Sequence, residues 1–131
     1  MVAAICTWHE HHERSAAEID ARLGRGETLL IAAPTLVEAY AVLTRLPPPY
    51  RLSPADAYTL VQENFTRTAR IIVLDGRSYR TLLPWARDHG IRGGRIYDTV
   101  TGLCALKAGA TVLLPFAERG LNIVVPGESA Y

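Results

Sequence analysis

Thr28-Leu29-Leu30-Ile31-Ala32-Ala33-Pro34-Thr35-Leu36-Val37-Glu38 is the stretch on which the fold turns. After Thr28 it is an unbroken short apolar run, which marks a strand buried on both faces in a parallel sheet. Pro34 closes that strand. Leu36, Tyr40 and Leu43 then recur at helical spacing up to Arg45, and Pro47-Pro48-Pro49 forbids continuation. A buried strand that passes directly into an amphipathic helix is the repeating unit of an α/β domain.

The same alternation extends in both directions. Upstream, Ala16, Ile19 and Leu23 have helical spacing, and Gly24 and Gly26 stop that helix. Downstream, Ser53-Pro54-Ala55-Asp56 supplies a cap and a proline for the first helical position, opening a helix through about Thr66. Arg70-Ile71-Ile72-Val73-Leu74 reads as a second buried strand ended by Asp75-Gly76, and Ser78 to His89 as a helix stopped by Gly90. Gly93-Gly94 forms a loop, and Tyr97 to Ala108 is a helix with Gly109 as its stop. Thr111–Leu114 and Asn122–Val125 are two further short apolar strands. The order predicts an α/β/α sandwich with a mostly parallel central sheet, one domain over 1–131, whose ligands sit at the carboxyl ends of the strands.

Composition fits that frame. A chain of 131 residues has room for one core, and 49% hydrophobic with 21% charged residues is ordinary for a soluble globular protein. The net charge of +1 gives no global field towards a polyanion, so any nucleic-acid contact must come from local clusters. Cys6 and Cys104 lack metal-ligand spacing, and Cys104 stands in an apolar run as a buried thiol, which predicts a reducing cytoplasmic setting. No run is long enough to span a bilayer and no charged-then-apolar leader opens the chain, so a membrane location is not expected.

Three of the four histidines, His9, His11 and His12, crowd into one short segment. A helical zinc site needs two histidines four residues apart on one face, and the residue four after His9 is Glu13. Thr7-x-x-Glu10 and Ser15-x-x-Glu18 fit capping boxes instead, so the segment reads as a polar helix start.

Two carboxylates stand out by position. Glu38 falls in the first turn after the Thr28–Ala33 strand, and Asp98 at the start of the helix after Gly93-Gly94. In a doubly wound sheet such positions face one crevice, where oxygen ligands suit Mg2+ or Mn2+ and the ion can polarise a phosphodiester. A second reading is structural. Thr35-Leu36-Val37-Glu38 is itself a capping box, and the helix dipole favours any first-turn acid without a metal.

His9-Glu10-His11-His12-Glu13-Arg14-Ser15-Ala16, then Ala33-Pro34-Thr35-Leu36-Val37-Glu38-Ala39-Tyr40-Ala41-Val42-Leu43-Thr44-Arg45, then Gly94-Arg95-Ile96-Tyr97-Asp98-Thr99 leading into Ala105-Leu106-Lys107-Ala108-Gly109-Ala110, occur in the order and at the intervals of one family. The chain resembles the PIN-domain family, above all the toxin ribonucleases of bacterial VapBC-type toxin–antitoxin pairs. The resemblance implies an RNA-cleaving hydrolase that binds Mg2+ or Mn2+ through clustered acids, with Glu38 and Asp98 matching the second and third of them. It also implies a cognate antitoxin as partner and a homodimer.

The chain departs from the family pattern twice. The strand that normally ends in the first acid has no counterpart before Met1-Val2-Ala3-Ala4-Ile5-Cys6, so either the chain shown starts late or Met1–Ile5 substitutes for it. At the fourth acid the chain has Leu114-Pro115-Phe116-Ala117-Glu118-Arg119, where Ala117 cannot bind a cation and Glu118 is displaced by one residue. Fewer oxygen ligands weaken a hard-cation site, so a PIN-fold protein serving as an antitoxin- or RNA-binding module is the alternative to the enzyme. Arg92 and Arg95 before Asp98, and Arg119 after the fourth-acid segment, are the candidates for phosphate contact.

Overall fold

The computed structural model describes the backbone of residues 12–110 and the side chains of residues 13–110. In chain order these form α1 (His12–Gly24), β1 (Leu30–Ala32), α2 (Ala33–Arg45), α3 (Pro54–Val61), a π-helical turn (Gln62–Thr66), β2 (Arg70–Ile72), α4 (Gly76–Asp88) and α5 (Arg95–Ala108). β1 and β2 pair as a two-stranded parallel sheet. The described residues are therefore mixed α/β. The strands expected at Thr111–Leu114 and Asn122–Val125, and the substitute strand at Met1–Ile5, lie outside them. The chain divides after Ile71 into two compact units.

In the first unit, β1 runs into α2 without a loop. Ala32 is the N-cap and Pro34 sits within the first helical positions, so Pro34 opens the helix rather than closing the strand. Its fixed φ and missing N–H suit a turn whose amides have no helical partner. Ile31 and Ala32 are buried, and the Arg70 N–H donates to the Leu29 carbonyl at 2.9 Å, starting the β1–β2 ladder. α2 packs against α3 through Leu43, Ala57 and Val61, flanked by Leu36, Leu46, Leu52 and Leu60. Ser53 caps α3 as its spacing predicts, its hydroxyl accepting from the Asp56 N–H at 3.1 Å. The single helix expected through Thr66 changes pitch at Gln62, and the π-helical turn places Phe65 in the core.

In the second unit, β2 continues as extended chain in which Ile72 and Leu74 are buried and Val73 is 59% exposed. This alternation corrects the expectation of a strand buried on both faces, because only every second side chain points inward. Asp75 caps α4, its carboxylate accepting from the Ser78 N–H and the Ser78 hydroxyl, both at 2.8 Å. Leu82 and Ala86 form the buried stripe of α4, and Pro84 sits in its interior, where it cannot donate to the Arg80 carbonyl. Gly109 ends α5 in the left-handed region with φ 65°, a conformation that favours glycine over residues with a Cβ. Among the described residues no helix is long and apolar enough to cross a membrane.

Candidate active site

Because α2 starts at Ala33, Thr35 lies inside its first turn and Glu38 in its second. The capping box Thr35-Leu36-Val37-Glu38 does not form, since a capping hydroxyl must precede the helix. Nor does the helix dipole explain Glu38, because its effect fades within the first turn. Both structural reasons for an acid at this position are thereby removed. Glu38 is exposed, between Val37 at 70% and Tyr40 at 39% exposure, and among the described residues it makes no side-chain hydrogen bond or ion pair.

Asp98 differs. α5 begins at Arg95, two residues earlier than its apolar spacing indicates, with Gly94 as N-cap and no side-chain capping bond. Asp98 falls in the first turn, as expected, where the dipole favours a carboxylate. It too is exposed and makes no side-chain hydrogen bond or ion pair among the described residues. Its neighbour Thr99 is buried and satisfies its hydroxyl on the Arg95 carbonyl at 3.1 Å. Arg95 stands three residues before Asp98 on the same helix without an ion pair between them, and Arg92 precedes the Gly93-Gly94 turn. Both arginines are exposed.

The far end of α5 is tied to the chain that follows β2. Lys107 Nζ donates to the Val73 carbonyl at 2.8 Å, and the Cys104 thiol lies 3.8 Å from the Ile72 carbonyl. Burial raises the pKa of Cys104, against a smaller opposing pull from Lys107, so the thiol stays protonated at neutral pH and is a poor nucleophile. Sequence reasoning missed Lys107. A lysine in the last turn of a helix is ordinary, and nothing in the local spacing points it at a carbonyl more than thirty residues upstream.

Glu38 thus belongs to the first unit and Asp98 to the second. Among the described residues no group of three or more His, Cys, Asp or Glu is placed to hold a metal ion. Glu118 and Arg119, and the side chains of His9, His11 and His12, lie outside the described residues. α1 begins at His12, so Ser15 lies within it and the capping box Ser15-x-x-Glu18 does not form, while Thr7-x-x-Glu10 lies outside the described residues.

No family model matches the chain, and no solved structure matches it. Curated proteins do. Ribonuclease VapC40 of Mycobacterium tuberculosis, recorded for strains CDC 1551 / Oshkosh and H37Rv, is 38% identical over 113 residues, covering 86% of this chain and 78% of the relative. Ribonuclease VapC27 of M. tuberculosis H37Rv is 32% identical over 130 residues, covering 94% of this chain and 82% of the relative.

Proposed function

The chain belongs to the VapC ribonuclease family, the PIN-domain toxins of toxin–antitoxin systems, and from that premise we propose that it is a toxin endoribonuclease that hydrolyses RNA phosphodiesters with Mg2+ or Mn2+ and is restrained by a cognate antitoxin. The observation that carries the reading is Glu38: an exposed carboxylate in a second helical turn, without a cap, dipole or ion pair among the described residues to account for it. Asp98 is exposed and unpaired in the same sense. Oxygen donors left free by the fold suit a hard divalent cation better than a thiophilic one.

In this reading Glu38 and Asp98 hold the ion, with Glu118 as a further oxygen donor. When bound, the ion supplies polarisation of the phosphodiester and an activated water at neutral pH. Arg92, Arg95 and Arg119 grip RNA phosphates and position the strand without reading its bases. A PIN-like α/β/α sandwich over the whole chain and a homodimer complete the proposal. The alternative, a binding module that has lost catalysis, is supported by the sequence, where Ala117 stands at the position of the family's fourth acid.

Cleavage of a mixed RNA pool by the purified chain tests both readings. The enzyme reading expects cutting in Mg2+ or Mn2+, none in EDTA, and a loss of about a hundredfold or more in Glu38→Gln and in Asp98→Asn. A folded chain that cuts nothing under any of these conditions is a binding module.

A further inference from the structure

Threonine hydroxyls on these helices have a regular use. Thr44, Thr81, Thr99 and Thr101 each donate to the backbone carbonyl four residues back, on Tyr40, Arg77, Arg95 and Tyr97, at 2.9–3.1 Å, and Thr66 does so to Gln62 at 3.5 Å. Such a bond satisfies the hydroxyl on its own helix. Two helical threonines make no side-chain hydrogen bond among the described residues. Thr59 is exposed on α3, where water can serve it, whereas Thr35 on α2 is partly buried.

The order of the chain explains why Thr35 is free. It is the third residue of α2, and the residue four places back is Ile31, which belongs to β1. Because β1 passes into α2 without a loop, that carbonyl stands on extended backbone and not on the preceding turn of a helix. Ala32 is the N-cap, and an N-cap carbonyl takes the first helical amide. Thr35 cannot cap the helix either, since it lies inside the first turn. Helix propensity gives no reason for a β-branched residue there. A hydroxyl without a duty to the fold remains.

Glu38 follows three residues later, so the two side chains are neighbours, with Cβ atoms roughly 5–6 Å apart. At roughly 100° per residue, both lie on one flank of α2 beside the buried stripe of Ala39 and Leu43, Thr35 nearer the stripe and Glu38 nearer solvent. Their burial follows that order. The residues three and four places from Glu38 are Pro34, Thr35, Ala41 and Val42, and of these Thr35 alone carries a side-chain donor. Carboxylates that hold metal ions are themselves held by hydrogen bonds, which fix the direction of the ligating oxygen.

We infer that Thr35 is the positioning residue of Glu38: its hydroxyl donates to one carboxylate oxygen and leaves the other for a divalent cation. The inference rests on the reading of Glu38 as a cation ligand, and adds to it a residue that acts through the carboxylate.

The test is Mn2+ binding to the full chain, read from the electron paramagnetic resonance signal of free Mn2+, beside cleavage of the RNA pool. Thr35→Val keeps the branched shape and loses the hydroxyl, and should lower Mn2+ affinity about tenfold with no loss in melting temperature. Thr35→Ser keeps the hydroxyl and should restore most of that affinity. Glu38→Gln should lose more than Thr35→Val. Thr59→Val removes the other free helical hydroxyl and should bind Mn2+ as the wild type does. Unchanged affinity in Thr35→Val, equal losses in Thr35→Val and Thr35→Ser, or an equal loss in Thr59→Val overturns the inference, as does a wild-type chain that binds no Mn2+. A chain whose Mn2+ affinity follows Thr35 but that cuts no RNA loses the ribonuclease reading and keeps the inference. Metal-dependent cleavage with unchanged affinity in Thr35→Val does the reverse.

Discussion

The described residues up to Ile71 and those from Ile72 to Ala110 are held by different physics. In the first set, Leu43 and Ala57 are fully buried with Val61 beside them, and the leucines of α2, α3 and their connection close around that cluster. In the second, the buried apolar residues Leu74, Leu82, Ala86 and Val100 are joined by polar ties that reach far along the chain: Lys107 to the Val73 carbonyl and the Cys104 thiol to that of Ile72. Each set presents one candidate acid, and the contrast carries over to them. Glu38 rides on a helix fixed by apolar burial, at a place where helix electrostatics gives no reason for a carboxylate. Asp98 rides on a helix secured by hydrogen bonds at its far end, where the dipole favours an acid with or without a ligand.

Stability should break along the same line. Leu43→Ala removes a side chain with no exposed surface and leaves a cavity, and should cost about 3 kcal/mol in urea unfolding. Lys107→Met keeps the apolar stem and loses one hydrogen bond at an exposed site, and should cost about 1 kcal/mol. Comparable losses in the two variants would mean that polar ties carry as much of the second unit as burial does of the first, and the contrast would have to be withdrawn.

How far the sequence foretold this depends on the kind of signal. The helices were legible because their caps and stops are local: Ser53-Pro54 opens α3, Asp75 caps α4 and Gly109 ends α5, each as its residue type requires. Alternation of strand and helix was legible for the same reason. Three features were not. Pro34 fits a strand end and a helix start equally well, and only the observed N-cap at Ala32 decides, which moves Glu38 from the first turn to the second. The pitch change at Gln62 leaves no mark in residue type. The period-two exposure of Ile72, Val73 and Leu74 is hidden because all three are apolar, so burial on one face and on both look alike in sequence. Of the candidate site, the family motif pointed to Glu38 and Asp98, while the tie of Lys107 to the Val73 carbonyl escaped notice because its partner lies more than thirty residues away in sequence.

A smaller effect sharpens the comparison of the two acids. Asp98→Asn should lower thermal stability by a few tenths of a kcal/mol at low ionic strength, and salt should erase the difference, since a first-turn charge acts through the helix dipole. Glu38→Gln should change stability less, because its second-turn position lies beyond that field. If both substitutions abolish cleavage while only Asp98→Asn has this salt-sensitive cost, the two acids share one function for different structural reasons. Equal, salt-sensitive losses would restore the dipole as the explanation for Glu38.

The smallest effect concerns acid. Asp75 has its pKa lowered, first by the hydrogen bond from the Ser78 N–H, then by that from the Ser78 hydroxyl; desolvation opposes them, and Lys107 and Arg77 add still smaller help. A carboxyl whose pKa is lower folded than unfolded contributes stability that is present above its unfolded value, about 3.9, and is lost as pH falls through the folded value. Asp75→Asn keeps a capping oxygen and loses the charge, because asparagine caps helices nearly as well as aspartate. The wild type should therefore melt above the variant at neutral pH, and the gap should close as pH drops below about 4. Lys107 enters here twice, as a donor to Val73 and as a charge that Asp75 feels, so Lys107→Met should narrow the same gap at neutral pH. A gap that is constant from neutral pH to pH 3 would assign the stabilisation by Asp75 to the shape of its cap and not to its charge, and the second unit would then owe its polar character to hydrogen bonds alone.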